Sequence, residues 1–291
     1  MKKLGSLLCA AALFTCASPT KGLTEGTSLL DSMISPVTNP VNFEDPRPNT
    51  EAQPVFMYHK LSKDFVTGAG NVRVAALQLR YAVNERLAII ATKDGYIDLN
   101  PEINLPDQEG AANIAAGLKY AFYRDDAKGD IATAGLRYEL ASGSPEVFQG
   151  QGDGAFNIFL SGASNLDTVN AMAFTQLRVP VDSDDSTFWD LSLHADYPIN
   201  DFYPLVEVNM IHIVDAGSRI PLDGEGFDLI SFGSSESDGS TVVTAAVGAR
   251  YRVCDSLDIG AAYEFALTDR EDLFDWRVTT DMIISLDKLF S

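Results

Sequence analysis

The sequence predicts an all-β chain, an antiparallel up-and-down transmembrane β-barrel of about twelve strands. Three observations carry this expectation. Segments of about ten residues alternate apolar with polar or small side chains from Gln53 to near the C-terminus, a two-residue period that no helix sustains. The connections between them alternate between tight turns and long loops. The chain also opens on an export-type leader and has too few cysteines to be a disulfide-stapled secreted domain.

In the leader, residues 1–17, Met1-Lys2-Lys3-Leu4 is a basic start and Leu7–Phe14 an apolar run. Thr15-Cys16-Ala17 offers small residues for cleavage before Ser18. A lipoprotein-type reading of Leu13-Phe14-Thr15-Cys16 is the alternative. With Cys9 and Cys16 in the leader, Cys254 is read as an incidental free thiol beside Asp255. Residues 18–50 are read as a periplasmic Pro-rich segment. A short helical stretch around Ser28–Ile34 precedes Pro36, Pro40, Pro46 and Pro48, which suit an extended linker.

The barrel is expected over residues 51–291. Its strands are placed near 53–61, 72–83, 87–97, 112–123, 131–141, 154–161, 168–179, 187–197, 202–214, 241–253, 257–267 and 274–286. The alternation is plainest in Val243-Ala245-Val247-Ala249-Tyr251-Val253 and in Leu257-Ile259-Ala261-Tyr263-Phe265-Leu267. Tight turns follow Tyr81, Tyr197 and Tyr251, and a slightly longer one follows Tyr123. The long connections are Ser62–Gly70, Leu99–Gly110, Ala141–Asp153, Val181–Ser186 and Ala216–Ser240. The short turns are expected on the periplasmic side and the long loops outside, with Tyr81, Tyr120, Phe122, Tyr197, Phe202 and Tyr251 as an aromatic rim near the short turns. A soluble β-sandwich also alternates, but its turns need not alternate in length.

Composition limits the function. The 41 acidic against 21 basic side chains give a formal charge of −20, the wrong sign for holding nucleic acid. The acidic loops Asp182–Asp185, Asp223–Asp228 and Thr268–Asp272 could in principle hold divalent cations, but none has EF-hand spacing, and a solvated surface charge is the plainer reading. His59, His194 and His212 lack metal-ligand spacing, so no metal and no cofactor is expected. His212 with Ser231, Ser234 or Ser235 could imitate the Ser-His pair of an outer-membrane acyl hydrolase. No nucleophile motif surrounds those serines, so the chain is read as not an enzyme.

Strand phase places Arg80, Lys119, Arg137, Glu139, Asp190, His194, Asp196, Glu207, Arg250, Arg252, Asp258, Glu264, Arg277 and Asp281 on the lumen side. Two readings stay open: a charged channel lining, or an interior closed by mutual ion pairs. A barrel near twelve strands is narrower than water-filled porins of 16–18, which disfavours free diffusion of large solutes. Ala216–Ser240 is a candidate constriction or lid.

The leader, the Pro-rich entry Ser35–Arg47 and the strand and Tyr-turn pattern over residues 51–286 resemble the Gram-negative outer-membrane β-barrel proteins. The resemblance is strongest to transporter-like barrels grouped with the phenol-degradation meta-pathway family. It implies an outer-membrane location, contact with lipid and lipopolysaccharide, insertion by the barrel-assembly machinery, and passage of small solutes, hydrophobic or aromatic ones among them. It also implies a terminal aromatic residue, whereas here Phe290 is followed by Ser291.

Overall fold

The computed structural model describes residues 28–270 and 272–289. The leader and the terminal Phe290-Ser291 lie outside them. The strand segments are β1 (Glu51–Leu61), β2 (Gly70–Ala82), β3 (Leu87–Lys93), β4 (Tyr96–Pro101), β5 (Gln108–Ala111), β6 (Ile114–Asp125), β7 (Asp130–Leu140), β8 (Ala155–Leu166), β9 (Val169–Pro180), β10 (Thr187–Asp196), β11 (Phe202–Asp215), β12 (Thr241–Cys254), β13 (Leu257–Ala266) and β14 (Phe274–Ser285). Both β3 and β4 pair with β2, so they form one interrupted stave. Their partners β6 and β5 form another. The result is a closed barrel of twelve antiparallel staves, sealed where β1 pairs with β14 on one side and β2 on the other.

The interruption between β3 and β4 has a local cause. Gly95 has φ 111°, and a Cβ there would lie 2.5 Å from the Ala75 carbonyl oxygen. The Asp94 carboxylate meanwhile accepts from the Leu77 N–H at 3.0 Å, replacing a ladder partner. Beyond this kink the stave continues to Pro101, past the expected end at 97, and the next starts at Gln108. β8 also runs to Leu166, past the expected 161, and turns into β9 through Asp167 at φ 65°.

The two faces of the wall differ as lipid demands. Leu79, Ile89, Leu118, Leu136, Ile158, Leu160, Val206, Val247 and Ile259 are exposed, an apolar belt that belongs in lipid. Tyr81, Tyr120, Phe122, Tyr197, Phe202 and Tyr251 are exposed towards the short-turn end, where a girdle at the membrane boundary would sit. No helix among the described residues is long and apolar enough to cross a membrane, which says nothing about crossing by strands.

The inside is filled. The described part of the Pro-rich segment is not a linker outside the barrel: Ile34–Pro40 and Asn42–Asp45 are buried among inward-facing side chains. It starts in a 3-10 turn, Leu29–Ser32, beside the short turn after β6, where the Leu29 N–H donates to the Asp126 carbonyl. It then enters the lumen, reverses at Asn39, and returns to β1. Asn39 sits at φ 49°, a left-handed conformation that asparagine tolerates, and its carbonyl accepts from the Asn42 and Phe43 amides. Its prolines have no N–H to satisfy, which lowers the cost of burying an irregular chain.

From the other end the long loop 216–240 folds inward, burying Phe227, Leu229, Ile230 and Phe232. Leu229, Ile230 and Phe232 join Val55, Met57, Val72, Val74 and Leu99 in an apolar cluster against which Val41, near the hairpin tip, packs, and Phe227 joins Phe188, Ile211 and Phe274 in another. This corrects the reading of Asp223–Asp228 as solvated surface charge, because Glu225 and Asp228 are buried there. Cys254 is also corrected: it is disulfide-bonded, not a free thiol. The free-thiol reading rested on both other cysteines leaving with the leader, and Cys9 and Cys16 lie outside the described residues.

Candidate functional site

The candidate site is the lumen, where wall charges meet the inserted hairpin. Alternation along each strand turns every second residue inward, so a charge in that phase must be paired or pay for desolvation. Arg80 on β2, Lys119 on β6 and Arg137 on β7 crowd together across β3, and the wall acid beside them is Glu51, 3.4 Å from Arg80. The hairpin supplies what is missing. The Glu44 carboxylate accepts from Arg80 Nε and Nη2 at 2.9 and 2.8 Å and from Lys119 Nζ at 2.7 Å. Lys119 also donates to the Asp45 carbonyl at 2.6 Å. Arg137 donates to the Val41 and Asn42 carbonyls at 2.8 and 3.1 Å, and to Thr92 and Gln176 of the wall.

The opposite wall grips the hairpin's first leg. Glu207 on β11 accepts from the Val37 and Thr38 amides at 2.9 and 2.7 Å and from the Thr38 hydroxyl. His194 stands between Glu207 and Asp196, at 2.7 and 3.1 Å from their carboxylates. Arg250 donates to the Ser35 and Pro36 carbonyls, both at 3.1 Å, and forks onto Asp281 at 2.9 and 2.8 Å. Near the short-turn end, Arg252 pairs with Asp258 at 3.2 Å and lies over the Tyr203 ring at 5.4 Å. The two legs are clasped by Arg47, which donates to the Leu30 and Met33 carbonyls at 2.9 and 2.7 Å and pairs with Asp45.

The remaining wall charges sit nearer the long-loop end. Arg277 links Glu264, at 3.0 and 2.7 Å, to Asp228 of the long loop, at 2.8 Å. Arg178 forks onto Asp190 at 2.8 and 2.9 Å, and Lys93 pairs with Glu139 at 2.5 Å. All fourteen charged residues read from strand phase are thus engaged, split between the hairpin, the long loop, one another and the further wall cations Lys93 and Arg178. Among the described residues an open crevice of about 60 Å³ lies at the long-loop end.

The long loop holds its own shape. The Glu225 carboxylate accepts from the Ser186 hydroxyl at 2.6 Å and from the Phe232 and Ser234 amides at 2.8 and 2.9 Å. Nearby, burial lifts the Asp272 carboxyl to about 6 against the pull of Arg270 and of a backbone hydrogen bond from Glu225.

His212 donates to or accepts from Thr241 at 2.8 Å and meets the Trp189 ring edge, with no serine bonded to it. His59 is buried beside the Phe274 ring with neither ring nitrogen bonded. Among the described residues no group of three His, Cys, Asp or Glu could hold a metal ion.

Sequence reasoning missed Glu44, Asp45 and Arg47, and with them the plug. A signal was present: three cations in inward phase within a span of four staves demand more acid than the single Glu51 the wall sets beside them. Glu225 and Asp228 were noticed only as loop charge, since a long loop's inward fold has no period to betray it.

Comparison with protein-family models finds no match, and comparison with curated proteins finds none either. Among solved structures, an outer-membrane channel from Pseudomonas putida F1 superposes with a TM-score of 0.60 at 12% identity, over 87% of this chain and 99% of that one. The NanC porin superposes with a TM-score of 0.52 at 9% identity, over 81% of this chain and 100% of that one. At such identities the likeness is one of fold: this chain has the architecture of outer-membrane barrels.

Proposed function

We propose that the protein is a gated outer-membrane channel for small solutes, and not an enzyme, held shut here by its own N-terminal hairpin. One observation carries the reading. Arg80, Lys119, Arg137, Arg250 and Glu207 spend hydrogen bonds on Glu44 and on the main chain of residues 35–45, groups that do not belong to the wall. A lumen meant only to be solid could close wall to wall or with apolar packing, which is often at least as stable as buried ion pairs. Charges that pair with a separate segment become a solvated lining once it withdraws.

That lining favours small polar or charged solutes over the hydrophobic or aromatic ones the resemblance suggests. The apolar belt would face lipid, with the long loops turned towards lipopolysaccharide. A structural, non-conducting barrel is the second reading, favoured by the wall-to-wall pairs Arg250–Asp281 and Arg277–Glu264.

Liposome swelling tests the proposal. Vesicles carrying a variant with residues 35–46 replaced by a Gly-Ser linker of equal length should admit small polar solutes, and vesicles with the unaltered chain should admit them far more slowly. Equal exclusion by both, with the variant still folded, would favour the structural barrel.

A further inference from the structure

The long-loop crevice has a chemistry that neither the hairpin nor the closed lumen accounts for. Cations from three separate elements line it: Lys93 on β3, Arg178 on β9 and Arg219 in the long loop. Each is matched by its own carboxylate. Lys93 lies 2.5 Å from Glu139, Arg178 forks onto Asp190, and Arg219 lies 2.7 Å from Asp185. The lining thus carries three cations and three carboxylates, Glu139, Asp185 and Asp228, with Asp190 behind Arg178, and the charges cancel.

A solute with a single charge would be attracted by one member of each pair and repelled by the other. A solute carrying both charges can satisfy both sets. Donor capacity remains for it: Arg178 commits Nε and Nη2 to Asp190, which leaves Nη1 for a carboxylate.

A second, independent observation points to a ligand. Asn157 on β8 lines the same crevice, is only 4% exposed, and its Oδ1 is buried with no hydrogen-bond partner. A desolvated acceptor left unpaired is costly, so its presence calls for an incoming donor. Phe148, Phe188, Leu229 and Ile230 give the crevice apolar surface as well. Phe188 is held in place under the Arg178 guanidinium, 4.1 Å from ring centroid to Cζ.

Resting on the channel reading, we propose that this crevice is an entry site for small zwitterions of the α-amino-acid class. The carboxylate meets Arg178 and its neighbouring cations, the ammonium donates to Asn157 Oδ1 and an adjacent carboxylate, and a short side chain lies on the apolar surface. A quaternary ammonium zwitterion brings the same charges but no N–H, so it cannot satisfy Asn157.

Calorimetric titration of the folded full-length protein in detergent separates these demands, using L-alanine, propionate, ethylammonium and glycine betaine as probes. L-alanine is expected to bind at least about tenfold more tightly than each of the others, as one extra charge-assisted hydrogen bond allows. Asn157→Ser should weaken L-alanine while leaving glycine betaine unchanged. Arg178→Gln should weaken both, with folding checked by heat-modifiable migration on a gel. Equal affinity for all four probes, or no L-alanine heat at concentrations that saturate simple amino-acid sites, would overturn the proposal. Planar-bilayer current recorded on the hairpin-replaced variant keeps the two readings apart. Current without L-alanine binding removes this site and spares the channel; L-alanine binding without any current supports the site and removes the channel.

Discussion

Two segments close this barrel from opposite ends, and they are held by different forces. The hairpin of residues 28–50 is keyed to the wall by charge: Glu44 between Arg80 and Lys119, the Val37 and Thr38 amides on Glu207, and the Ser35 and Pro36 carbonyls on Arg250. The long loop 216–240 is folded on itself around the Glu225 carboxylate and seated by Phe227, Leu229, Ile230 and Phe232, with the Asp228–Arg277 pair as its one strong charge link to the wall. A plug keyed by buried charge is specific in register and intolerant of losing one partner. A lid seated by apolar surface tolerates local change and opens piecemeal. In the channel reading proposed above, the contrast would let one lumen carry a gate and a cap at once.

The sharpest way to break this contrast is Glu44→Gln. The change leaves Lys119 buried without a counter-ion and Arg80 with Glu51 alone, at 3.4 Å, and breaking a buried pair this way costs about 3–5 kcal/mol. Residues 28–50 should then become sensitive to protease while the loop stays protected. Sensitivity appearing equally in both segments would mean that the two are not independent.

Glu225→Ala probes the other side. It strips one hydroxyl and three amides of their acceptor, at about 1.5–3 kcal/mol for each well-formed charged hydrogen bond. Hydrogen exchange should quicken across residues 226–234 and stay unchanged at Val37 and Thr38.

A smaller effect separates lid from plug by pH. Burial raises the Asp272 carboxyl to about 6, above its ordinary value of 3.8, with Arg270 and the Glu225 backbone hydrogen bond opposing the rise. A raised carboxyl binds its proton more tightly when folded, so its favourable contribution is full below about pH 4 and is lost as pH climbs through 6. Asp272→Asn should therefore stabilise the folded protein by about 2 kcal/mol at pH 7 and by nothing near pH 3.5. Thermal unfolding at the two pH values reads this directly, and an equal gain at both would contradict it.

Much of the wall was legible in the sequence, because a membrane barrel writes its period into every strand. Leu118 and Lys119 face opposite ways for the same reason that any neighbouring pair does. The short turns were legible through Tyr81, Tyr197 and Tyr251, and the kink at Gly95 was not, since one residue of slip leaves no pattern. The lumen charges were legible as a face but not as a network. Their partners Glu44, Asp45 and Asp228 come from aperiodic segments, whose side-chain directions are set by three-dimensional fit. Pro36, Pro40 and Pro46 correctly signalled an extended chain. Extension says nothing about whether the chain runs outside a barrel or through it, and the crowded inward-phase cations Arg80, Lys119 and Arg137 were the overlooked clue.

The central claim is that the hairpin, and not the wall, shuts the lumen. Single-channel recording in planar bilayers tests it most directly, comparing the unaltered chain with the variant carrying a Gly-Ser linker in place of residues 35–46. The account predicts a silent or rarely opening unaltered protein and a steady ohmic current from the variant. A folded, bilayer-inserted variant as silent as the unaltered protein would contradict it.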